Sequence, residues 1–140
     1  MITFITIIFL HLGGSNQNEI VTIQKGNTIH VSIDNVSSNR GQVSFALFQK
    51  DNFLKKPISR IYVDIKDHTS EVVFKNIAVG TYAIVCYHDE NNNKRMDFVE
   101  NGMPLEDYGV SNNVFNFGPP DFESSKFEHG EEAMNLEIRF

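Results

Sequence analysis

From Ile29 the chain alternates. Ile29, Val31 and Ile33 are apolar and His30 and Ser32 between them are polar, the period-two pattern of a strand with one wet face. The pattern returns at Ile61, Val63 and Ile65. It returns again at the end of the chain, where Met134, Leu136, Ile138 and Phe140 alternate with Asn135, Glu137 and Arg139. Val43 to Phe48 is more continuously apolar, which predicts a strand covered on both sides. Val72 to Ile77 leads to Gly80, and Thr81 to His88, rich in β-branched and aromatic residues, carries the strongest strand signal. Ile20 to Ile23 adds a strand ahead of the Lys25-Gly26-Asn27 turn. About seven short strands separated by turn chemistry, with no sustained helical period and no internal repeat, predict an all-β fold: an antiparallel β-sandwich.

One stretch departs from this pattern. Between Phe98 and Phe127 no strand is evident, and structureless segments of that length inside a compact domain are usually functional or disordered. Phe98, Tyr108, Phe115, Phe117, Phe122 and Phe127 supply apolar surface to bury, so the expectation is one long aromatic-rich loop packed over a sheet face or edge. Asp121 to Phe127 is expected to add a helical turn after the Gly118-Pro119-Pro120 break.

The remaining composition narrows the function class. At 140 residues the chain fits one domain. A formal charge of -6 without any Lys/Arg cluster excludes a nucleic-acid backbone as partner. Cys86 is the one cysteine, so no intramolecular disulfide forms, and its strand-like setting reads as a small buried apolar group. Ile2 to Leu12 is apolar, too short to span a bilayer, and is followed by small residues at Gly13 and Ser15. Residues 1–15 therefore read as a signal peptide and 16–140 as a single β-sandwich domain, although no Lys or Arg precedes Lys25. The expected location is exported: periplasmic, outer-membrane-associated or extracellular, with no transmembrane span.

The chemistry concentrates in DENNNKRMDFVE, residues 89–100. Calcium takes six to eight oxygen ligands, and the twelve-residue loop that supplies them uses positions 1, 3, 5, 7, 9 and 12. Counted from Asp89, these fall on Asp89, Asn91 and Asn93 by side chain, Arg95 by its carbonyl, Asp97 directly or through water, and Glu100 as the bidentate closer. Position six, where the backbone needs a positive φ and glycine is usual, holds Lys94, a strain of roughly 1 kcal/mol. Asp and Asn also make good turns unaided, so DENNN reads alternatively as a hairpin tip. Glu100 at the twelfth place favours a metal. With two neutral side-chain ligands the affinity expected is that of extracellular modules, roughly 10⁻⁴ to 10⁻³ M.

HDENNNKRMD at 88–97, Gly102-Met103-Pro104, EDYGVSNN at 106–113, GPPDFESSKF at 118–127 and VGTYAIVCYHDE at 79–90 resemble the signature blocks of DUF2141, a bacterial domain-of-unknown-function family of small exported proteins. The resemblance covers most of the chain after Thr28. It implies an exported transthyretin-like or immunoglobulin-like β-sandwich with no established activity. The family loop usually reads Asp-x-Asn-x-Asn-Gly, and Lys94 departs from it.

The reading is therefore a non-enzymatic β-sandwich in which calcium at 89–100 orders the aromatic-rich loop. Tyr108, Asn112, Asn113 and Phe117 are the expected ligand-binding residues, and the partner is a glycan, a peptide or an envelope protein. No catalytic residue is assigned. The alternatives are a small hydrolase using Glu106, Asp107 or His88 under the loop, and a purely structural envelope module.

Overall fold

The computed structural model describes residues 27–140. The signal peptide read over 1–15 and the strand read at Ile20 to Ile23 lie outside the described residues.

Eight strands follow: β1 Ile29–Ile33, β2 Gln42–Phe48, β3 Ser59–Asp64, β4 Ser70–Phe74, β5 Gly80–Asp89, β6 Tyr108–Val110, β7 Phe127–His129 and β8 Met134–Glu137. The one α-helical turn among the described residues, α1, is Phe122–Ser125, and the Asp121 side chain caps it by accepting from the Ser124 N–H. The strands form two sheets. One runs β4-β1-β8; the other runs β3-β2-β5-β6, with β7 also paired to β5.

The alternating segments became strands whose apolar side chains meet in one core. Ile29, Val31 and Ile33 of β1, Val72 and Phe74 of β4, Val43, Phe45 and Leu47 of β2, and Ile84 and Cys86 of β5 are all buried there. Every residue from Val43 to Phe48 is buried, as its unbroken apolar run implied. The face of β2 away from the core is covered partly by a ring chain: Phe48 stacks edge-on against Phe53 at 5.5 Å, and Phe53 against Phe122 of α1 at 5.6 Å. Cys86 is fully buried, and burial pushes its thiol well above the ordinary range.

Two features differ from the sequence expectation. The first is that β1 pairs with β8 in parallel, Val31 opposite Leu136, so the strands are not all antiparallel. The second is that 98–127 is not one loop: β6 lies within it and β7 begins at Phe127, while α1 supplies the helical turn expected within 121–127. β6 was hidden because it spans three residues, Tyr108 to Val110, around a glycine. Gly109 is required where the chain end crosses: a Cβ there would meet the Arg139 carbonyl oxygen at 2.4 Å.

Candidate functional site

The site grows from the end of β5. Asp89 is the last residue of that strand and is 0% exposed. Its Oδ1 accepts from the Asn93 N–H at 3.1 Å and its Oδ2 from the Lys94 N–H at 2.8 Å, so one carboxylate folds the next five residues back upon itself. The turn requires positive φ at Asn92, 56°, and at Lys94, 61°. Asn tolerates this and Lys does so at a cost.

Two contacts hold Lys94 in that conformation. The Tyr62 hydroxyl of β3 donates to the Lys94 carbonyl at 3.3 Å, and the Lys94 ammonium stands 5.4 Å from the Tyr62 ring centre. Lys94→Gly is therefore expected to stabilise the fold by about 0.5 kcal/mol, the relief of roughly 1 kcal/mol of backbone strain less the lost ring contact. Lys94→Ala keeps the strain and loses the contact, so it should destabilise by about the same amount. Urea denaturation of the two variants checks the opposite signs; a loss of stability in both would remove the strain argument.

Around this turn the alternate side chains meet. The Asn93 amide donates to both Asp97 oxygens at 2.9 and 2.8 Å, and the Asn91 amide donates to Asp97 Oδ2 at 3.0 Å. Asn91 Oδ1 accepts from the Asn93 N–H and Asn93 Oδ1 from the Arg95 N–H. The two amides, first Asn93 and then Asn91, hold the Asp97 carboxyl below its usual range, with Arg95 adding to the effect from 3.6 Å. Asp89, Asn91, Asn93 and Asp97 are thus brought together, and Arg95 lies in the same turn.

Glu100 does not join them. Residues 98–104 fold into a hairpin, with the Val99 N–H on the Met103 carbonyl at 2.9 Å and Phe98 bridged to Pro104, and Glu100 is exposed near its tip. The carboxylate that does reach the ring is Glu106, whose Oε2 accepts from the Asp97 N–H at 3.2 Å. Burial first, and then Asp97 and Asp89 as like charges, push the Glu106 carboxyl above its ordinary value, against the pull of the Asp97 and Glu90 N–H groups. The sequence carried a signal for this placement: Asn101-Gly102 between apolar pairs is a hairpin dipeptide, and Gly102 has φ 85°. A hairpin there carries Glu100 outward and returns the chain at Glu106.

Arg40, Glu90, Asn91, Asp97, Leu105 and Glu106 line an open cavity of about 350 Å³ beside the ring. The Arg40 guanidinium pairs with the Glu90 carboxylate. Among the described residues no group of three or more His, Cys, Asp or Glu side chains is placed to hold a metal ion. The oxygens gathered here are two ring carboxylates, a third that bonds the ring's backbone, and two carboxamides.

The other expected site residues are placed differently from one another. The Asn112 amide donates to the carbonyls of Ser124, at 3.1 Å, and Lys126, at 2.8 Å; the Asn113 amide donates to the Glu137 carbonyl and its oxygen accepts from the Arg139 N–H. Both amides are committed to backbone groups and not turned to a ligand. Tyr108 is half-buried in β6 opposite Tyr87. Phe117 is fully exposed and meets Phe115 edge-on at 5.3 Å. His88 is buried, its ring nitrogens 2.6 Å from the Arg40 carbonyl oxygen and 3.5 Å from Ser37 Oγ. Its ring is thus bonded to neither Glu106 nor Asp107.

The fold and the site together define an all-β protein of two sheets, in which a polar turn leaves the end of the longest strand. The chain belongs to a bacterial family described as an uncharacterized protein conserved in bacteria, DUF2141, whose model matches residues 31–137. No curated protein and no solved structure matches the chain. No helix among the described residues is long and apolar enough to cross a membrane.

Proposed function

We propose that the protein is an exported, non-enzymatic β-sandwich module of immunoglobulin-like or transthyretin-like type. In this reading the 89–97 turn holds a divalent cation, and the ion braces the segment behind it as a surface for a glycan, a peptide or an envelope protein. The observation that carries it is Asp89. This carboxylate has no exposure and no ion pair with Lys, Arg or His among the described residues, and buried charges are ordinarily paired or coordinate metals. Its two backbone bonds orient it towards the turn that gathers Asn91, Asn93 and Asp97.

The donor set favours calcium. Asp89, Asn91, Asn93, the Arg95 carbonyl, Asp97 and Glu106 offer oxygen alone, which suits a hard cation and not the thiolate and imidazole preference of zinc or copper. Glu106 stands in the role first given to Glu100. A bound dication neutralises the repulsion among Asp89, Asp97 and Glu106 and fixes the hairpin's return strand through Glu106.

A thermal melt in millimolar calcium against chelator tests the reading. At ten times the dissociation constant the ion adds about 1.4 kcal/mol, a rise of roughly 4 °C for a chain of this size. Magnesium at the same concentration should give less, because it demands tighter octahedral geometry. Identical melting temperatures in calcium and chelator, together with a flat calorimetric titration, would discard the ion.

A further inference from the structure

The hairpin next to the ring is apolar on both faces and buries neither. Leu105 N–H bonds the Asp97 carbonyl at 2.8 Å, Val99 and Met103 pair inside, and Gly102 N–H closes the turn on Val99. Phe98 and Pro104 therefore share one face, and Val99, Met103 and Leu105 share the other. On the second of these faces Val99 is 39% exposed, Met103 60% and Leu105 63%. A two-stranded hairpin is marginal in water unless a face is covered, and clustered exposed apolar side chains with a polar rim mark interaction sites.

The charge around it selects the occupant. Between residues 89 and 107 there are six acidic side chains and two basic ones. Both basic groups are engaged, Lys94 over Tyr62 and Arg95 on Asp97. Glu100 and Asp107 are exposed, and neither is in an ion pair among the described residues. A second copy of a chain with charge -6 and an anionic lipid surface are both repelled by such a rim; a cationic partner is drawn to it.

We propose that hairpin 97–105 docks a cationic, apolar segment of a partner protein. Leucine-sized side chains of that segment cover Val99, Met103 and Leu105 on their shared face, and its Lys or Arg side chains meet Glu100 and Asp107. This rests on the binding-surface half of the reading above, names its partner chemistry, and does not depend on the ion.

A fluorescein-labelled peptide of eight alternating Lys and Leu residues is the probe, followed by anisotropy, with Lys-Ser and Glu-Leu peptides of equal length as controls. The Lys-Leu peptide should bind at least tenfold more tightly than either control. The double substitution Met103→Ser with Leu105→Ser, both at exposed positions of that face, should weaken it about tenfold. Glu100→Lys with Asp107→Lys should weaken it several-fold at low salt and change little near 0.5 M salt. Equal binding of the three peptides, or unchanged binding by both double variants with unaltered circular dichroism, would overturn the proposal. So would a dimer in sedimentation that the Met103 and Leu105 substitutions dissolve. Each titration is run in calcium and in chelator. Peptide binding in a protein that shows no calcium response removes the ion reading alone, and a full calcium response without peptide binding removes the docking reading alone.

Discussion

Gly41→Ala is expected to be among the most destabilising single substitutions in the chain, costing about 3 kcal/mol and lowering the melting temperature by roughly 10 °C. Gly41 leads into β2 with φ 75°, and a Cβ placed on it would lie 2.1 Å from the Asp89 carbonyl oxygen and 2.7 Å from the Glu90 Cα. The left-handed conformation alone costs a non-glycine residue about 1 kcal/mol. The overlap adds more because its partners are backbone atoms: Asp89 ends β5 paired to Gln42 of β2 and Glu90 opens the turn that follows, and they cannot yield as a flexible side chain would. The close approach also positions the site. It brings the Arg40 carbonyl onto the His88 ring and the Arg40 guanidinium onto Glu90. Gly41→Ala should accordingly loosen the start of the 89–97 turn, seen as faster hydrogen exchange at the Asn93 and Lys94 amides. A melting temperature within 2 °C of the parent would mean that β2 and β5 separate there easily, contrary to the packing.

Much of this was legible from residue pattern and some was not, for physical reasons. Strands β1 to β5 and β8 carry their own evidence because each spans enough residues for alternation or β-branched enrichment to show. β7 escaped notice at three residues, though Phe127 and His129 point inward and Glu128 outward. The parallel pairing of β1 with β8 joins segments about a hundred residues apart, and local periodicity has no access to it. The turn was legible for a different reason. Asp and Asn bond nearby backbone N–H groups, so alternate placement from Asp89 to Asp97 encodes a fold-back in one dimension. That argument failed at Glu100 because it assumed the chain continued to wind, whereas Asn101-Gly102 reversed it, left Glu100 near the hairpin tip and brought Glu106 to the Asp97 N–H. Likewise Asn112 and Asn113 looked available to a ligand, and only tertiary structure shows them bonded to Ser124, Lys126, Glu137 and Arg139.

Asp89→Ala carries the second large effect, about 3 kcal/mol in the absence of any added ion. Hydrogen bonds to a charged acceptor contribute roughly 1.5–3 kcal/mol each, and their loss also leaves donors unpaired. Here one carboxylate takes two, from Asn93 and Lys94, and together with the Tyr62 contacts these hold Lys94 at φ 61°. Without them Tyr62 alone opposes that strain and the turn should open. Opening would release Asn91 and Asn93 from Asp97, and Glu106 from the Asp97 N–H. Asp89→Asn keeps one oxygen acceptor for the turn and should lose about half as much. The two variants therefore separate scaffold from ion: both should lose the calcium-dependent rise in melting temperature, while only the alanine variant should show fast exchange throughout 92–106 in chelator. If Asp89→Asn retained the full calcium response, the carboxylate would have no part in holding the cation. If Asp89→Ala melted like the parent, the 89–97 turn would owe its shape to its asparagines and to Tyr62 instead.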